Sequence, residues 1–464
     1  MRNPFIRLLV LSLLLASCGE ARGANTGAAP AVSSTARTLV TALPSAGIGN
    51  IAVMISIPRT PRYTTSAGVV IMVSPYFTKP SGFLTDPNFT SLGLISISYL
   101  WPGGTDARTR ARSDGTYDYG GASSIKALRD VIRFAVNLIP DQNGHYLTNL
   151  TQVPPLTSEV GLYAYAEAGT AVLRALAQYG DEMNGVQYLV DRENPTLDSL
   201  SSQELGYWGS DAKPVYNPLY QYPDDFSPNE ITLDYKSLRW DPNYKDSNTG
   251  LIGRPYLDLK GNGIFTAGDF AFSGQVPILF GKRYYSTALT EALSANGALS
   301  AADWPATLAT PQEVTQYWQS PQQIMAAYRS VGNNLPDLKV MLVFAQNDHA
   351  QVAQDKPHIH EAFLGFRFEA ANPGTGIGLW VRLNPDRAYV QAFIPSAGLD
   401  FPDNPADTQP EDWTKVMGWA YPDQGTAGNP VTLAAVAEMA DRSQLGDWDD
   451  NLGAVLVQET TPGP

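Results

Sequence analysis

Ten residues, Val160-Gly161-Leu162-Tyr163-Ala164-Tyr165-Ala166-Glu167-Ala168-Gly169, join a strand-like run to a helix-like one with no loop residue between them. Such a turn exposes the residue at its apex and demands small side chains two places before and two after, because strand and helix press close. Ala164 and Ala168 meet that demand, and the apex residue is Ala166. A methyl group there cannot attack a carbonyl. Moving the register by one would bring the Glu167 carboxylate to the apex, but Tyr165 would then fill a place that needs a small residue. A plain strand and helix with no special turn is the competing reading. A second candidate is Asp348, which follows the apolar run Leu338–Phe344 in the turn Ala345–Val352. A carboxylate in that place can orient an imidazole; aspartate after a strand is also common turn chemistry.

These two landmarks together resemble the α/β-hydrolase family, whose nucleophile sits on a Gly-x-Ser-x-Gly elbow and whose triad follows in the order Ser, Asp, His. The resemblance covers about 50–190 and 311–390. Within it, Asp114–Gly121 resembles the approach to the helix before the elbow in the prolyl-oligopeptidase and dipeptidyl-peptidase branch. It implies an α/β fold with a mostly parallel central sheet flanked by helices and interrupted by a large irregular cap. It places the acid at Asp348 and the histidine on the loop after the last core strand, where Asn384-Pro385-Asp386-Arg387 stands instead. The chain has four histidines, and none follows His360. Ala166, Asp348 and Asn384 are therefore read as vestigial catalytic positions with no intact triad. An oxyanion pocket is built of backbone amides and survives loss of side chains; the amides of Glu167 and of Tyr76 or Phe77 are its candidates.

Asp258-Leu259-Lys260-Gly261-Asn262-Gly263-Ile264-Phe265-Thr266-Ala267-Gly268-Asp269 resembles a calcium loop, in which alternate oxygens and one backbone carbonyl wrap the ion. Asp258, Asn262, the Ile264 carbonyl and Asp269 are the candidate Ca2+ ligands. Lys260 stands where an oxygen belongs, so its ammonium could replace the metal, and a Gly-rich turn without metal is the alternative. His358-Ile359-His360-Glu361 invites a metal reading, but imidazoles two apart on a predicted helix face different sides; both are read as surface residues. No other cofactor is called for.

The elements that must position these groups follow from hydrophobic pattern. Strands are predicted over 50–58, 68–73, 93–99, 159–163, 185–190, 338–344 and 376–383, and helices over 123–138, 169–176, 311–329 and 357–366. Strand and helix alternating in this way predict a parallel sheet. Between 191 and 310 the periodicity gives way to Tyr, Trp, Asp, Pro and Gly, read as the cap. Its aromatics could stack on a carbohydrate or peptide, or simply pack the cap on its base. The domain is expected to span 38–390. Residues 391–464 form a C-terminal extension packed on it, with one helix near Val431–Ala440.

The N-terminus carries Arg2 and Arg7, then a short apolar run, then Leu15-Ala16-Ser17-Cys18. This reads as an export signal over 1–17. It resembles the bacterial lipoprotein signal, which implies lipidation at Cys18, the single cysteine of the chain. Acyl chains would hold the protein on a membrane without crossing it, facing the periplasm or the cell exterior. Residues 18–37 are small and polar and read as a tether. The net charge of −14 lacks the basic footprint that nucleic acid requires. The function expected is a non-catalytic cell-envelope binding or scaffold protein, with an envelope protein, carbohydrate or peptide as partner. Its rivals are an esterase or peptidase with a non-standard nucleophile, and a binding protein that captures substrate in the old cleft.

Overall fold

The computed structural model describes residues 37–75, 81–193, 204–209, 211–221, 233–274, 276–317, 321–345, 348, 350–353, 355–372, 374–393 and 424–448. The stretch expected to be an export signal, Cys18 and the expected tether up to residue 36 lie outside them, as do Tyr76, Phe77 and His349. Among the described residues no helix is long and apolar enough to cross a membrane.

Eight strands form the central sheet: β1 (Arg37–Ser45), β2 (Gly49–Ile57), β3 (Ala67–Met72), β4 (Ile95–Tyr99), β5 (Pro155–Tyr165), β6 (Val186–Arg192), β7 (Lys339–Val343) and β8 (Trp380–Leu383). Their spatial order is β1-β2-β4-β3-β5-β6-β7-β8. β1 pairs antiparallel with β2, and β2 antiparallel with β4; every later pairing is parallel. This order, with its antiparallel edge and elbow after β5, is the α/β-hydrolase fold.

Side chains alternate across a strand, and in β3 both sets are apolar and buried. Val69 and Ile71 face one core, shared with α1 (Ala122–Ala135), α2 (Ala168–Tyr179), α3 (Pro321–Asn334) and α4 (Pro357–Leu364). Val70 and Met72 face the other, shared with Tyr163, Tyr188, Val190 and Met341 and covered by α5 (Gln424–Leu445). A strand covered on both faces has to read as a continuous apolar run.

Several elements differ from their sequence reading. β1 is an edge strand whose mixed burial hides it among tether-like residues. β6 runs through Asp191 and Arg192, which the cap boundary had claimed; the pairing of Val343 with Arg192 holds them in the sheet. The helix expected over 311–329 is two helices, Pro311–Tyr317 and α3, the second opening on a proline, a residue pre-set for a first helical turn. β8 is four residues rather than eight. α4 ends at Leu364 and continues as a π-helical turn, Gly365–Glu369.

α5 is about twice the helix the sequence suggested, and three of its buried side chains, Glu438, Asp441 and Arg442, are charged. Asp441 receives Arg62 through two 2.6 Å bonds, with Tyr389 at 2.8 Å and Tyr63 at 3.1 Å. Glu438 receives Arg442 at 2.9 Å and Arg382 at 3.3 Å. Buried charges persist when paired and hydrogen-bonded, and here they tie a chain end into the middle of the molecule.

The insertion contains a three-stranded antiparallel sheet (Leu238–Lys245, Ile252–Leu257, Phe270–Ala271), two short hairpins and the helix Thr287–Ala295. Leu238, Leu257, Phe270, Phe272, Tyr285 and Leu289 form a core of its own. Many of its strands are only two or three residues long, too short for a periodic signal.

Candidate functional site

In an open α/β sheet, ligands bind outside the carboxyl ends of the parallel strands. Along that edge lie four non-glycine residues with left-handed backbone: Ala166 after β5 (φ +51°), Glu193 after β6 (φ +45°), Lys356 between β7 and α4 (φ +43°) and Asn384 after β8 (φ +63°). Each such residue costs on the order of 1–2 kcal/mol and persists only where the surroundings over-determine it.

Ala166 is the apex of the elbow. The Ala166 amide donates to the Arg192 carbonyl at 3.2 Å, so β5 and β6 stay paired to the very end of the strand. Glu167 follows with φ −62° and leads into α2. Ala164 and Ala168 are fully buried on either side. Farther back, a Cβ on Gly161 would lie 2.1 Å from the Tyr188 ring, which explains the glycine. The elbow is thus built in full, with a methyl at its tip. Arg192 lies 4.9 Å over the Tyr165 ring, and burial pushes the Tyr165 phenol well above its ordinary range.

Asp348 follows β7 and is buried. Its Oδ1 accepts the amides of Ala350 (2.7 Å) and Gln351 (2.8 Å). Its Oδ2 stands 3.0 Å from His358 Nε2. The acid therefore has an imidazole, supplied from ten residues downstream rather than from the loop after β8. His358 is 3 % exposed, which corrects its reading as a surface residue. Its neighbour His360 is partly covered, and burial pulls that imidazole down to about 4. The two do face different sides of the helix, and both sides are packed.

Asn384 holds the place where the resemblance expects the histidine, but its side chain works on the backbone. Oδ1 accepts the Phe344 amide at 2.9 Å, and Nδ2 donates to the Phe344 carbonyl at 3.3 Å. It prolongs the β7–β8 ladder past the end of β8.

Just before α4 stands Lys356, fully buried, with Nζ donating to the Gln351 carbonyl at 2.8 Å. Burial lowers its affinity for a proton, against the opposing pull of Asp348, Glu193 and Asp355. Burial raises Asp355, which accepts the Tyr220 hydroxyl at 2.7 Å. Trp208 Nε1 donates to the Asp348 carbonyl at 2.8 Å. The insertion thus grips both ends of the acid loop. The sequence pointed to neither Lys356 nor Glu193, and it read His358 as a surface residue and Trp208 and Tyr220 only as cap aromatics. Only the spacing of His358 from Asp348, just past a proline that opens a helix, offered a signal.

In the calcium-like loop, the oxygens are engaged within the loop itself. Asp258 accepts the amides of Asn262 (3.1 Å) and Gly263 (2.8 Å). Asn262 accepts the Ile264 amide at 3.1 Å, while Asp269 accepts those of Leu259 (3.0 Å) and Thr266 (2.8 Å). Lys260 Nζ donates to the Ala267 carbonyl. Among the described residues no group of three or more His, Cys, Asp or Glu side chains converges as a metal site.

No family model matches this chain, and no curated protein matches it. Among solved structures it is similar to an acylaminoacyl peptidase from Pyrococcus horikoshii at 8% identity, covering 87% of this chain and 40% of that one, with a TM-score of 0.37. It is also similar to carboxyl esterase 2 from the fungus Tuber melanosporum (9% identity, 37% and 50% covered, TM-score 0.28). A bacterial heroin esterase gives 11% identity, 36% and 46% covered, and a TM-score of 0.25. The chain spans about half the length of such proteins. The fold stands on the strand order and the elbow themselves.

Proposed function

We propose that this chain is a non-catalytic α/β-hydrolase-fold protein of the cell envelope, anchored by lipid at Cys18, which binds a small ligand at the carboxyl edge of its sheet. The observation that carries this reading is the methyl of Ala166 at the tip of a strained elbow. Acyl transfer through an elbow needs a hydroxyl or thiol at that point, and none is there. What remains at the edge is a buried polar cluster, Glu193, Asp348, Lys356 and His358, able to orient a ligand.

A fluorophosphonate probe tests the claim: the wild-type chain is expected to stay unlabelled by intact mass, and labelling abolished by replacing one serine would overturn it. For the anchor, Cys18→Ser is expected to move the protein from the membrane to the soluble fraction and to abolish palmitate incorporation. Membrane retention by the variant would refute it. A second reading, a hydrolase with an unconventional nucleophile, draws on the Asp348–His358 pair, an oriented imidazole of the kind that general-base chemistry uses. Turnover of an ester or peptide panel that disappears in His358→Gln would favour it.

A further inference from the structure

We propose that the insertion is a lid on the carboxyl edge of the sheet, hinged beside the acid loop and latched on the far side of the elbow by the Phe280 ring against Tyr119. The edge is shut in this structure: the Ala166 apex is 9 % exposed, and Asp348, His358 and Lys356 are buried. A ligand therefore reaches it only when what covers it moves. The insertion touches the edge on both sides of β5. On one side the chain enters it from β6 and comes back through α3 to β7, and Trp208 and Tyr220 hydrogen-bond to the acid loop. On the other side, at the loop between β4 and α1, rings make the contact. The Phe280 centroid lies 4.7 Å from that of Tyr119, with Tyr317 behind it at 6.1 Å. The seam that carries both chain connections and hydrogen bonds is the hinge, and the apolar contact opposite it is where opening starts. Such a latch serves a binding edge and a reacting one alike.

Each ring stands on a fixed mount. Phe280 and Gly281 (φ +54° and +79°) form the two-residue turn between Ile278–Leu279 and Lys282–Arg283. A turn with both central residues at positive φ favours Asn and Gly, and a bulky aromatic there is an outlier. The Arg283 amide donates to the Thr307 carbonyl at 2.8 Å, the Ala309 amide donates to the Arg283 carbonyl at 2.9 Å, and Lys282 pairs with Glu313 at 2.6 Å, so the hairpin moves with the insertion. Tyr119 is left-handed too, at φ +52°. It sits between Asp118, which accepts the amides of Ser123 (2.7 Å) and Ser124 (3.2 Å) at the start of α1, and Gly120, whose carbonyl accepts Arg174 of α2 at 2.8 Å. Two strained aromatics that meet point to a contact kept for use. Tyr119 packs both on the main core and on the small core of Leu279, Tyr284, Ala309 and Val314. Phe280 is 57 % exposed, and angles of 64° and 78° set its ring edge-on to Tyr119 and Tyr317. Rings so tilted share no plane on which a flat ligand could stack; they fit each other.

A thiol at the apex reads the opening. In the full chain carrying Cys18→Ser, Ala166→Cys is expected to react with iodoacetamide far more slowly than free glutathione does. Phe280→Asn deletes the ring and suits the turn. It should speed the reaction about three- to tenfold, the worth of one aromatic pair. Phe280→Ala and Tyr119→Ala should act alike, and Phe280→Asn combined with Tyr119→Ala should exceed the faster single variant by less than about twofold, because the two rings make one contact. Val131→Cys, buried in α1, reports global unfolding, and Phe280→Asn should leave its rate unchanged. The latch is refuted if Phe280→Asn leaves the apex thiol as slow as before, if it speeds both thiols equally, or if the apex thiol already reacts like glutathione. Phosphonate labelling would overturn the non-catalytic reading and leave the latch untouched.

Discussion

The elbow after β5 and the acid turn after β7 stand at the same edge of one sheet, yet they keep opposite things. At the elbow the backbone is intact: Ala166 holds φ +51° between two buried alanines, with no reactive side chain. At the acid turn the side chain is intact: Asp348 keeps two amide bonds and an imidazole, but the imidazole comes from α4 instead of the loop after β8. The contrast shows that elbow strain is maintained by close packing, which needs no chemistry. A buried carboxylate, in contrast, must keep partners of some kind because leaving it bare is costly.

That contrast can be broken experimentally, beginning where the effect is largest. Asp348→Ala removes, at a buried site, the acceptor of two amides and the carboxylate that stands beside His358. We expect a loss of about 3 kcal/mol in urea unfolding; a loss below 1 kcal/mol would mean that the turn does not depend on its carboxylate. Acid should act on the α4 side as well. His360 is held down to about 4 by burial, while its unfolded counterpart titrates near 6.5. Between those values the unfolded chain binds more protons than the folded one. Stability is therefore full above about pH 6.5 and is lost as the pH falls towards 4. His360→Phe should flatten that part of the stability–pH curve, and an unchanged slope would assign it elsewhere.

At the elbow the expected effects are steric. Ala164→Leu overfills a site closed by β6 and α2 and should cost about 1–3 kcal/mol. The smallest effect, and the sharpest, belongs to Ala166→Gly. Glycine adopts a positive φ without strain but loses more entropy on folding. The net expected is a gain of roughly 0.5 kcal/mol, seen as a small rise in the denaturation midpoint; a clear loss would show that the methyl itself is packed to advantage.

Much of the frame is legible in local pattern. The apolar run at 68–73 and the nearly unbroken one at 338–344 have to be covered strands, because only burial on both faces makes such runs tolerable. The small residues around 166 announce a tight turn, and the alanine at its apex is a fact of covalent structure that no folding can alter. Long-range pairing decided the rest. That His358 meets Asp348 depends on how α4 docks after β7, which no local periodicity encodes. The charges of α5 look like a solvent-exposed pattern until Arg62 and Arg382, distant in the chain, neutralise them inside the molecule. Asn384 stands where the sequence resemblance expected an imidazole, and it joins the backbone of the neighbouring strand. Residue type set which chemistry is available at each point, and tertiary packing alone decided which groups share a dielectric and a hydrogen bond.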